Sequence, residues 1–419
     1  MKSALVNFLE KKSVLTPSQF GFRRGFRTFD ALRTFSEEIY KSLDSQNSLL
    51  SIYVDFTKAF DTVNHNFLLQ KLNFYGIRGV INDWFQDYLN NRTQSTRYNN
   101  HISNPQCIKY GVPQGSVLGP ILFLIYINDL PNIFTKLKTI LFADDSSLYL
   151  SGTETTTMIN SANEDLQVFH KWCITNRLTV NLDKTFYMLF TNKPPHPLPP
   201  LIYHNNIIKR TSHHTLLGIT FDDCMTFKPH ISSLIIKLSR IVSLLFQIRS
   251  FMPNNILITM YNAHVLPHLL YCSPIWCNTY PTHLLPLFRL QKKIIRIINK
   301  SDFLAHTQTL FKQCNILKIF DLNKLQIGIH MFTAVNTTHH THLQSQHTYP
   351  TRTRAHLRPP LHNLTIFQHS LSYSGPKIWN SIPYHIQNLS TTLSFKKTIQ
   401  KTPTCAVLNV KSMQLLNFY

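Results

Sequence analysis

Negative charge is what this sequence has least of. The 419 residues include 42 Lys plus Arg against 20 Asp plus Glu, a formal charge of +22. The deficit is concentrated: residues 226–419 hold 20 basic side chains and only two carboxylates, Asp302 and Asp321, while residues 1–225 hold 22 basic and 18 acidic ones. Long apolar runs are missing too. The longest noted, Gly119 to Ile127 with Pro120 inside it, is far short of the roughly 20 residues a membrane span needs, so no membrane role is expected. No basic-then-apolar leader opens the chain, which predicts an intracellular protein. The seven cysteines show no C-x-x-C spacing, which excludes a zinc knuckle and predicts reduced thiols rather than a disulfide framework. Against these absences stands 43% hydrophobic content, enough for a real core and incompatible with a disordered tail.

A basic block of this kind points to a polyanionic partner, because each Lys or Arg set on a phosphate releases a condensed counterion. Leu287, Leu290, Ile294, Ile297 and Ile298 recur at helical spacing, and Arg289, Lys292, Lys293, Arg296 and Lys300 form a basic stripe on another face. Such a helix can pack on one side and meet phosphates on the other; for one helix alone a merely solvated face is an equal reading. Ile231 through Ile248 predicts a further helix, stopped by Pro253.

Earlier in the chain, helices are expected at about 30–43, 65–75, 80–90, 116–130 and 160–176, and a hairpin at 92–110 turning at Asn99-Asn100. Strands are expected at Leu49–Val54, on both sides of Asp144-Asp145, at Leu178–Leu182 and at Tyr187–Phe190. The order is α+β rather than a regular βαβ series. Lys193–Pro200 is a Pro-rich loop. His339-His340-x-His342 lacks paired Cys or a carboxylate at ligand spacing and reads as a polar loop; Cys272 and Cys277 read as buried small residues.

Three carboxylates stand out. Asp55 ends the apolar run Ser51-Ile-Tyr-Val, and Asp144-Asp145 interrupt Ile140-Leu-Phe-Ala and Ser146-Ser-Leu-Tyr-Leu. Asp is disfavoured in strands, and a carboxylate there needs a partner. A divalent cation is one: Mg²⁺ takes one or two carboxylates plus substrate phosphates. Neighbours on a flat strand face opposite ways, so Asp144 and Asp145 share a site only if the chain turns between or beside them. Alone, an Asp-Asp pair reads as a surface turn.

The company of the pair decides otherwise. Asp55-Phe-Thr-Lys-Ala-Phe60-Asp61, Gly111-Val-Pro-Gln114-Gly-Ser-Val-Leu-Gly-Pro120 and Phe142-Ala-Asp-Asp145 resemble the core motifs of reverse transcriptases. The extension to Asn128-Asp129-Leu130 is similar to enzymes of non-LTR (LINE-type) retrotransposons of the jockey/CR1-like branch. So are Gln19-Phe-Gly-Phe-Arg23, Trp172…Asn176-Arg-Leu178…Asn181-Leu-Asp-Lys184-Thr, Leu217-Gly218-Ile, Tyr271-Cys-Ser-Pro-Ile-Trp276 and Gly375-Pro-Lys-Ile-Trp-Asn-Ser-Ile-Pro383.

The resemblance implies a right-hand polymerase fold. Fingers would occupy about 1–48 and 62–110, palm about 49–61 and 111–225, a helical thumb 226–300, and a basic nucleic-acid-binding region 301–419. It implies that Asp55, Asp144 and Asp145 hold two Mg²⁺ ions, with Mn²⁺ as a substitute, around a primer 3′ hydroxyl and a deoxynucleoside triphosphate. Phe60 would pack under the sugar and exclude a 2′ hydroxyl; without the motif it would be a plain core aromatic. Gln114 and Gly115 would contact the nucleotide, Gly115 by close backbone approach. Arg23 or Arg27 would clamp the triphosphate, with Arg24 also available, and Lys184 would protonate the leaving pyrophosphate. Leu217-Gly218 matches the primer grip, although Leu216 stands where many relatives carry Tyr. Arg289, Lys292, Lys293 and Arg296 would bind nucleic acid.

Implied partners are an RNA template, a DNA primer or target, and dNTPs. An endonuclease expected upstream in a full-length element is absent from these residues, and nuclear action follows from the family's insertion at chromosomal DNA. The first fingers segment of the family would need more than the 18 residues before Gln19, so the alternative expectation is a truncated relic that only binds RNA or DNA. An RNA-dependent RNA polymerase fits less well, given Phe60 and the Phe142-Ala143 ahead of the Asp pair.

Overall fold

The computed structural model describes residues 1–90, 92–194, 197–336 and 357–401. Two compact units divide it. The first takes Met1–Phe35 and Gln46–Ser212; the second takes Ser36–Ser45 and the described residues from His213 onward. His339, His340 and His342 lie outside the described residues.

In the first unit, α1 (Lys2–Lys11) and α2 (Thr28–Asp44, its second half assigned to the other unit) precede β1 (Ser48–Val54). Then come α3 (His65–Phe74), α4 (Val80–Leu89) and four two-residue strands, β2 (Thr93–Gln94), β3 (Arg97–Tyr98), β4 (His101–Ile102) and β5 (Gln106–Cys107). α5 (Gly119–Tyr126), β6 (Lys138–Phe142), β7 (Asp145–Gly152), α6 (Thr155–Thr175) and β8 (Phe186–Phe190) follow, with short strands β9 (Ile202–Tyr203), β10 (Asn206–Ile207) and β11 (Lys209–Arg210) closing the unit.

The fold is α+β. A five-stranded sheet in the order β11-β8-β1-β7-β6 forms its centre, antiparallel except for the β11–β8 pair. β1 is flanked on both edges, and all seven of its residues are buried, Ser48 and Ser51 included, so its sequence does not alternate regularly between apolar and polar. α5 buries every residue except Pro120. It is shorter than the expected 116–130 helix at both ends: residues 116–118 are not helical, and Leu130–Ile133 forms a separate 3₁₀ turn. The 93–107 segment forms the expected hairpin, with Asn99 and Asn100 both at positive φ, as a two-residue I′ turn requires.

Leu178–Leu182 is not a strand. Only Val180 bridges to Phe56, and the segment instead bonds to the loop after β1: Thr57 N–H donates to Thr179 O and Asn181 N–H to Asp55 O.

The second unit opens with the hairpin β12 (His213–Leu216) and β13 (Ile219–Asp222), then α7 (Lys228–Ile248), α8 (Asn254–His264), α9 (Leu266–Leu270), α10 (Ser273–Trp276), α11 (Pro281–Ile298), α12 (Thr307–Gln313) and α13 (Ile319–Asn336). After the undescribed stretch come α14 (Leu371–Ser381), α15 (Tyr384–Gln387) and α16 (Thr392–Lys401). α7, the helix expected at Ile231 through Ile248, is long and apolar enough to cross a membrane by length and composition. Its Ile231, Leu234, Leu238, Val242 and Leu245 are buried, it packs on α11, and Lys237 and Arg240 sit mid-helix. Trp379 of the tail motif is buried beside Phe332 and Phe395. Cys272 and Cys277 are buried.

Candidate active site

Strand register brings the three carboxylates to one end of the sheet. β6 and β7 pair as far as Phe142↔Asp145, so the hairpin loop is the two residues Ala143-Asp144. β1 runs antiparallel to β7 with Val54 opposite Ser146, which sets Asp55 level with Asp145 one step beyond. The turn resolves the opposite-face problem, because Asp144 is in the loop and not on the strand. Ala143 is at φ +57°, a conformation that costs a residue with a Cβ and persists only where neighbours impose it.

Those neighbours are Gln19 and Gly21 of the Gln19-Phe-Gly-Phe-Arg23 motif. Phe20 N–H donates to Leu141 O and Leu141 N–H to Ser18 O, tying residues 18–20 along β6. Buried Gln19 Oε1 then accepts from Ala143 N–H (3.1 Å) and Gly21 N–H (2.8 Å). A Cβ on Gly21 would stand 2.5 Å from Ala143 N, so only glycine allows the strap to lie this close. The available signal was a Gln and a Gly two residues apart; nothing in the sequence names their target.

Asp55 is fixed from below. Its N–H reaches Thr185 Oγ1 (3.3 Å) and its carbonyl accepts from Asn181 N–H (2.8 Å). Exposed Lys184 lies in that same Asn181–Thr185 turn.

Electrostatically the site is strained by its own charge. Asp144 is held above the ordinary carboxylate range by partial desolvation and then by Asp55; Asp145 is held above it by desolvation, then Asp144, then Asp55. Arg23 pairs with Glu10, Arg27 with Asp30 and Lys71 with Asp129, and among the described residues no ion pair involves the three. Hard carboxylate oxygens, mutually repelling and without a counter-cation there, are the donor set a divalent metal fits.

A second acidic group answers differently. Asp222, Asp223 and Cys224 offer ligand atoms within 4.8 Å of one another and could hold a metal. Yet buried Asp222 already accepts from Thr226 N–H (3.0 Å), Thr226 Oγ1 (2.8 Å) and Phe227 N–H (2.6 Å), ahead of α7. Burial and then Asp223 push the Cys224 thiol up, away from the thiolate a metal prefers. Asp222 is thus committed to closing the turn that precedes α7.

Other expected site residues fall as follows. Phe60 is half-buried and stacks on Phe123 of α5, centroids 4.4 Å apart. Exposed Gln114 donates from Nε2 to Asp61 Oδ1 at 2.8 Å, six residues after Asp55. Gly115 is at φ +76° with open space where a Cβ would stand, so backbone conformation rather than crowding within the protein requires glycine.

Arg23 is a correction. Its guanidinium pairs with both Glu10 oxygens (3.0 and 2.8 Å), donates to Thr16 O and Gln19 O, and is only 9% exposed. A group so committed braces the Gln19 strap and is not available as a clamp. Arg27, 65% exposed with a single 3.5 Å contact to Asp30, has that freedom.

In the second unit, Leu217 (φ +46°) and Gly218 (φ +80°) form the β12–β13 turn, whose Leu217 carbonyl accepts from Tyr271 Oη at 2.7 Å. On α11, Arg289 and Lys293 are exposed, while Lys292 lies over the Phe288 ring. Arg296 is also partly engaged, donating to Ala305 O. Lys292 is pushed down by desolvation and then by Arg296, Lys318 and Arg289, a crowding of like charge that an anion would relieve.

Comparison with known proteins decides the family. A model described as reverse transcriptase (RNA-dependent DNA polymerase) matches residues 1–221. The chain belongs to the reverse transcriptase family. Its curated relatives place it with the non-LTR retrotransposon type. The probable RNA-directed DNA polymerase from transposon X-element of Drosophila melanogaster is 27% identical over 76% of this chain and 36% of its own length. That from transposon BS of the same fly is 28% identical over 74% and 36%. The RNA-directed DNA polymerase from mobile element jockey of Drosophila funebris is 26% identical over 72% and 34%. The chain thus spans about a third of these relatives' length. A solved apo telomerase from Candida tropicalis overlaps 99% of this chain and 59% of its own at 10% identity, with a TM-score of 0.42, too slight a likeness to add to the assignment.

Proposed function

We propose that this reverse-transcriptase-family chain is an RNA-directed DNA polymerase that transfers deoxynucleotides to a primer 3′ hydroxyl on an RNA template. The supporting observation is the set of three carboxylates at one sheet end, mutually repelling and without an ion pair among the described residues. In this reading residues 1–225 supply fingers and palm, residues 226–300 the thumb, and residues 301–419 a basic nucleic-acid-binding region. Asp55, Asp144 and Asp145 would hold two Mg²⁺, or Mn²⁺, which when bound supply Lewis-acid stabilisation of the attacking and leaving oxygens.

The chain's own groups do the rest. The primer 3′ hydroxyl gives its proton to solvent water and its oxygen forms a bond to the α-phosphorus as the bond to pyrophosphate breaks. Arg27 would hold the triphosphate, replacing the committed Arg23, and Lys184 would give a proton to the departing pyrophosphate. Phe60, fixed by its stack on Phe123, would stand under the sugar and clash with a 2′ hydroxyl. Gln114, anchored on Asp61, and Gly115 would line the nucleotide's place. Leu217 and Gly218 would touch the primer, and Arg289 and Lys293 would meet phosphates, with Lys292 and Arg296 behind them. Family resemblance also carries the proposal of nuclear action.

Primer extension on an RNA template, with Mg²⁺ and with a chelator, tests this reading. Metal-dependent extension is expected. A folded chain that binds RNA in a salt-sensitive way but extends no primer would replace the polymerase reading with that of a binding relic.

A further inference from the structure

A cavity of the first unit, apart from the three carboxylates, carries charge of the opposite sign. The cavity, about 440 Å³, is lined by Asn64, His65, Asn66 and Phe67 at the start of α3, by Asn90 and Arg92 after α4, and by Cys107–Tyr110 and Arg177. Arg92, Lys109 and Arg177 therefore face one hollow, and no carboxylate lines it. Residues 1–225 have a surplus of only four positive charges. Three cations around a single hollow are thus a local concentration in a nearly balanced region.

The walls are fastened to one another. Buried Tyr126 is the post: its hydroxyl donates to Asn176 O beside Arg177 and accepts from the backbone N–H of Asn64. Buried His65 donates from Nε2 to Gly111 O at 2.7 Å, and Asn64 bridges to Tyr110, which fixes the 107–110 wall against α3. Arg177 lies over the Phe67 ring at 5.6 Å and Arg92 over Tyr88 at 5.3 Å, so their stems are seated while Lys109 and Arg177 stay exposed. The Asn64 side chain caps Phe67 N–H at the positive end of the α3 dipole.

We infer that this cavity binds a phosphodiester group of a polynucleotide strand, at a site separate from the three carboxylates. The inference rests on the polymerase reading only in that such a strand must be present. A metal-bound nucleoside triphosphate is the wrong occupant, because it brings its cation to carboxylates and here there are none. Backbone phosphates need only cations, helix-start dipoles and neutral donors. Exposed Lys109 and Arg177 suit a strand passing across the opening more than a ligand enclosed in it.

Fluorescence anisotropy on the full chain, in chelator and without nucleotide, gives the test. Labelled single-stranded RNA and DNA oligonucleotides of scrambled sequence are titrated over a range of salt. Arg177→Gly is the informative variant: residue 177 is at φ +52°, which glycine adopts more easily than arginine, so the fold is spared and only the side chain is lost. Combined with Lys109→Ala it is expected to weaken binding several-fold. The slope of log affinity on log salt should fall by about 0.7 per contact removed. Lys11→Ala with Lys12→Ala removes equal charge at the end of α1 and should leave that slope unchanged. In parallel, either strand should protect Lys109 from acetylation, and Mg²⁺ with a nucleoside triphosphate should not.

Protection by RNA alone would assign the site to template, by DNA alone to primer or product, and by both to phosphates in general. A folded Arg177→Gly/Lys109→Ala chain with the parent's affinity and slope, or Lys109 unprotected by either strand, overturns the inference. Because the assay uses no metal, loss of extension in Asp144→Asn leaves it untouched. The two readings therefore fail separately.

Discussion

Acidic residues in this chain are built in two opposite ways, and the contrast separates folding from function. Asp165, buried on α6, accepts from Thr135 N–H and Oγ1, Lys136 N–H and Leu137 N–H, and so pins α6 to the chain just before β6. Against the opposing effect of burial, these bonds hold it below the usual carboxylate range. Asp222 is satisfied in the same manner ahead of α7. At the sheet end, Asp144 and Asp145 are instead raised by desolvation and by other carboxylates. A carboxylate surrounded by donors stabilises the fold, whereas one surrounded by carboxylates destabilises it until a cation arrives.

The strongest way to break the contrast is to exchange the two outcomes. Asp144→Asn is expected to cut primer extension by more than roughly a hundredfold, since even outer-shell changes at metal sites cost 10–100-fold. The same variant should melt higher than the parent in chelator, because one repelling charge is gone. Extension rates and melting curves on the same preparations check both, and a variant that extends at the parent's rate sinks the assignment.

Asp165→Asn should do the reverse. One oxygen becomes an NH₂ facing backbone donors, and a loss of about 1–3 kcal/mol is expected from the unsatisfied groups. Extension per folded molecule should remain near the parent's. An unchanged melting temperature would show that the four bonds stabilise nothing.

A smaller effect is expected at the nucleotide's sugar. Phe60→Val should admit ribonucleotides, read as a fall in the ratio of deoxy- to ribonucleotide incorporation. Some melting temperature will go too, since the stack on Phe123 is lost. Unchanged discrimination would return Phe60 to a purely structural role.

Much of this geometry was legible beforehand for a physical reason. Asp interrupting apolar runs is a signal that survives without coordinates, because a strand tolerates a carboxylate only where something compensates for it. Asn99-Asn100 marked its turn because both residues tolerate positive φ. Leu178–Leu182 misled, because apolar alternation there serves a loop that bonds to Asp55 and Thr57 rather than a sheet. The partners of Arg23 and Gln19 were hidden for a different reason. Glu10 is 13 residues from Arg23, and Ala143 is 124 residues from Gln19; no local pattern encodes such pairings. Asp165 was invisible likewise, since its four donors all lie on another segment.

The finest test of the contrast is its pH dependence. Asp144 and Asp145 have folded-state pKa values raised above their unfolded ones. Between the two, the native chain keeps protons that the unfolded chain releases, so this pair's contribution to stability falls as pH rises through the carboxylate range. Asp165 has the opposite sign: its contribution is present above the unfolded carboxylate value and is lost as pH falls through the lower folded one. In chelator, the melting advantage of Asp144→Asn over the parent should therefore be smallest in acid, grow as pH rises, and level off once both carboxylates are ionised. Asp165→Asn should lose least in acid and most at neutral pH. Added Mg²⁺ should shrink the first difference near neutrality and leave the second unchanged, because a cation stabilises the ionised form only where the carboxylates are without donors. A flat Asp144→Asn difference across pH, or a Mg²⁺ effect on both variants alike, would mean the two kinds of acidic residue are not distinguished by their surroundings.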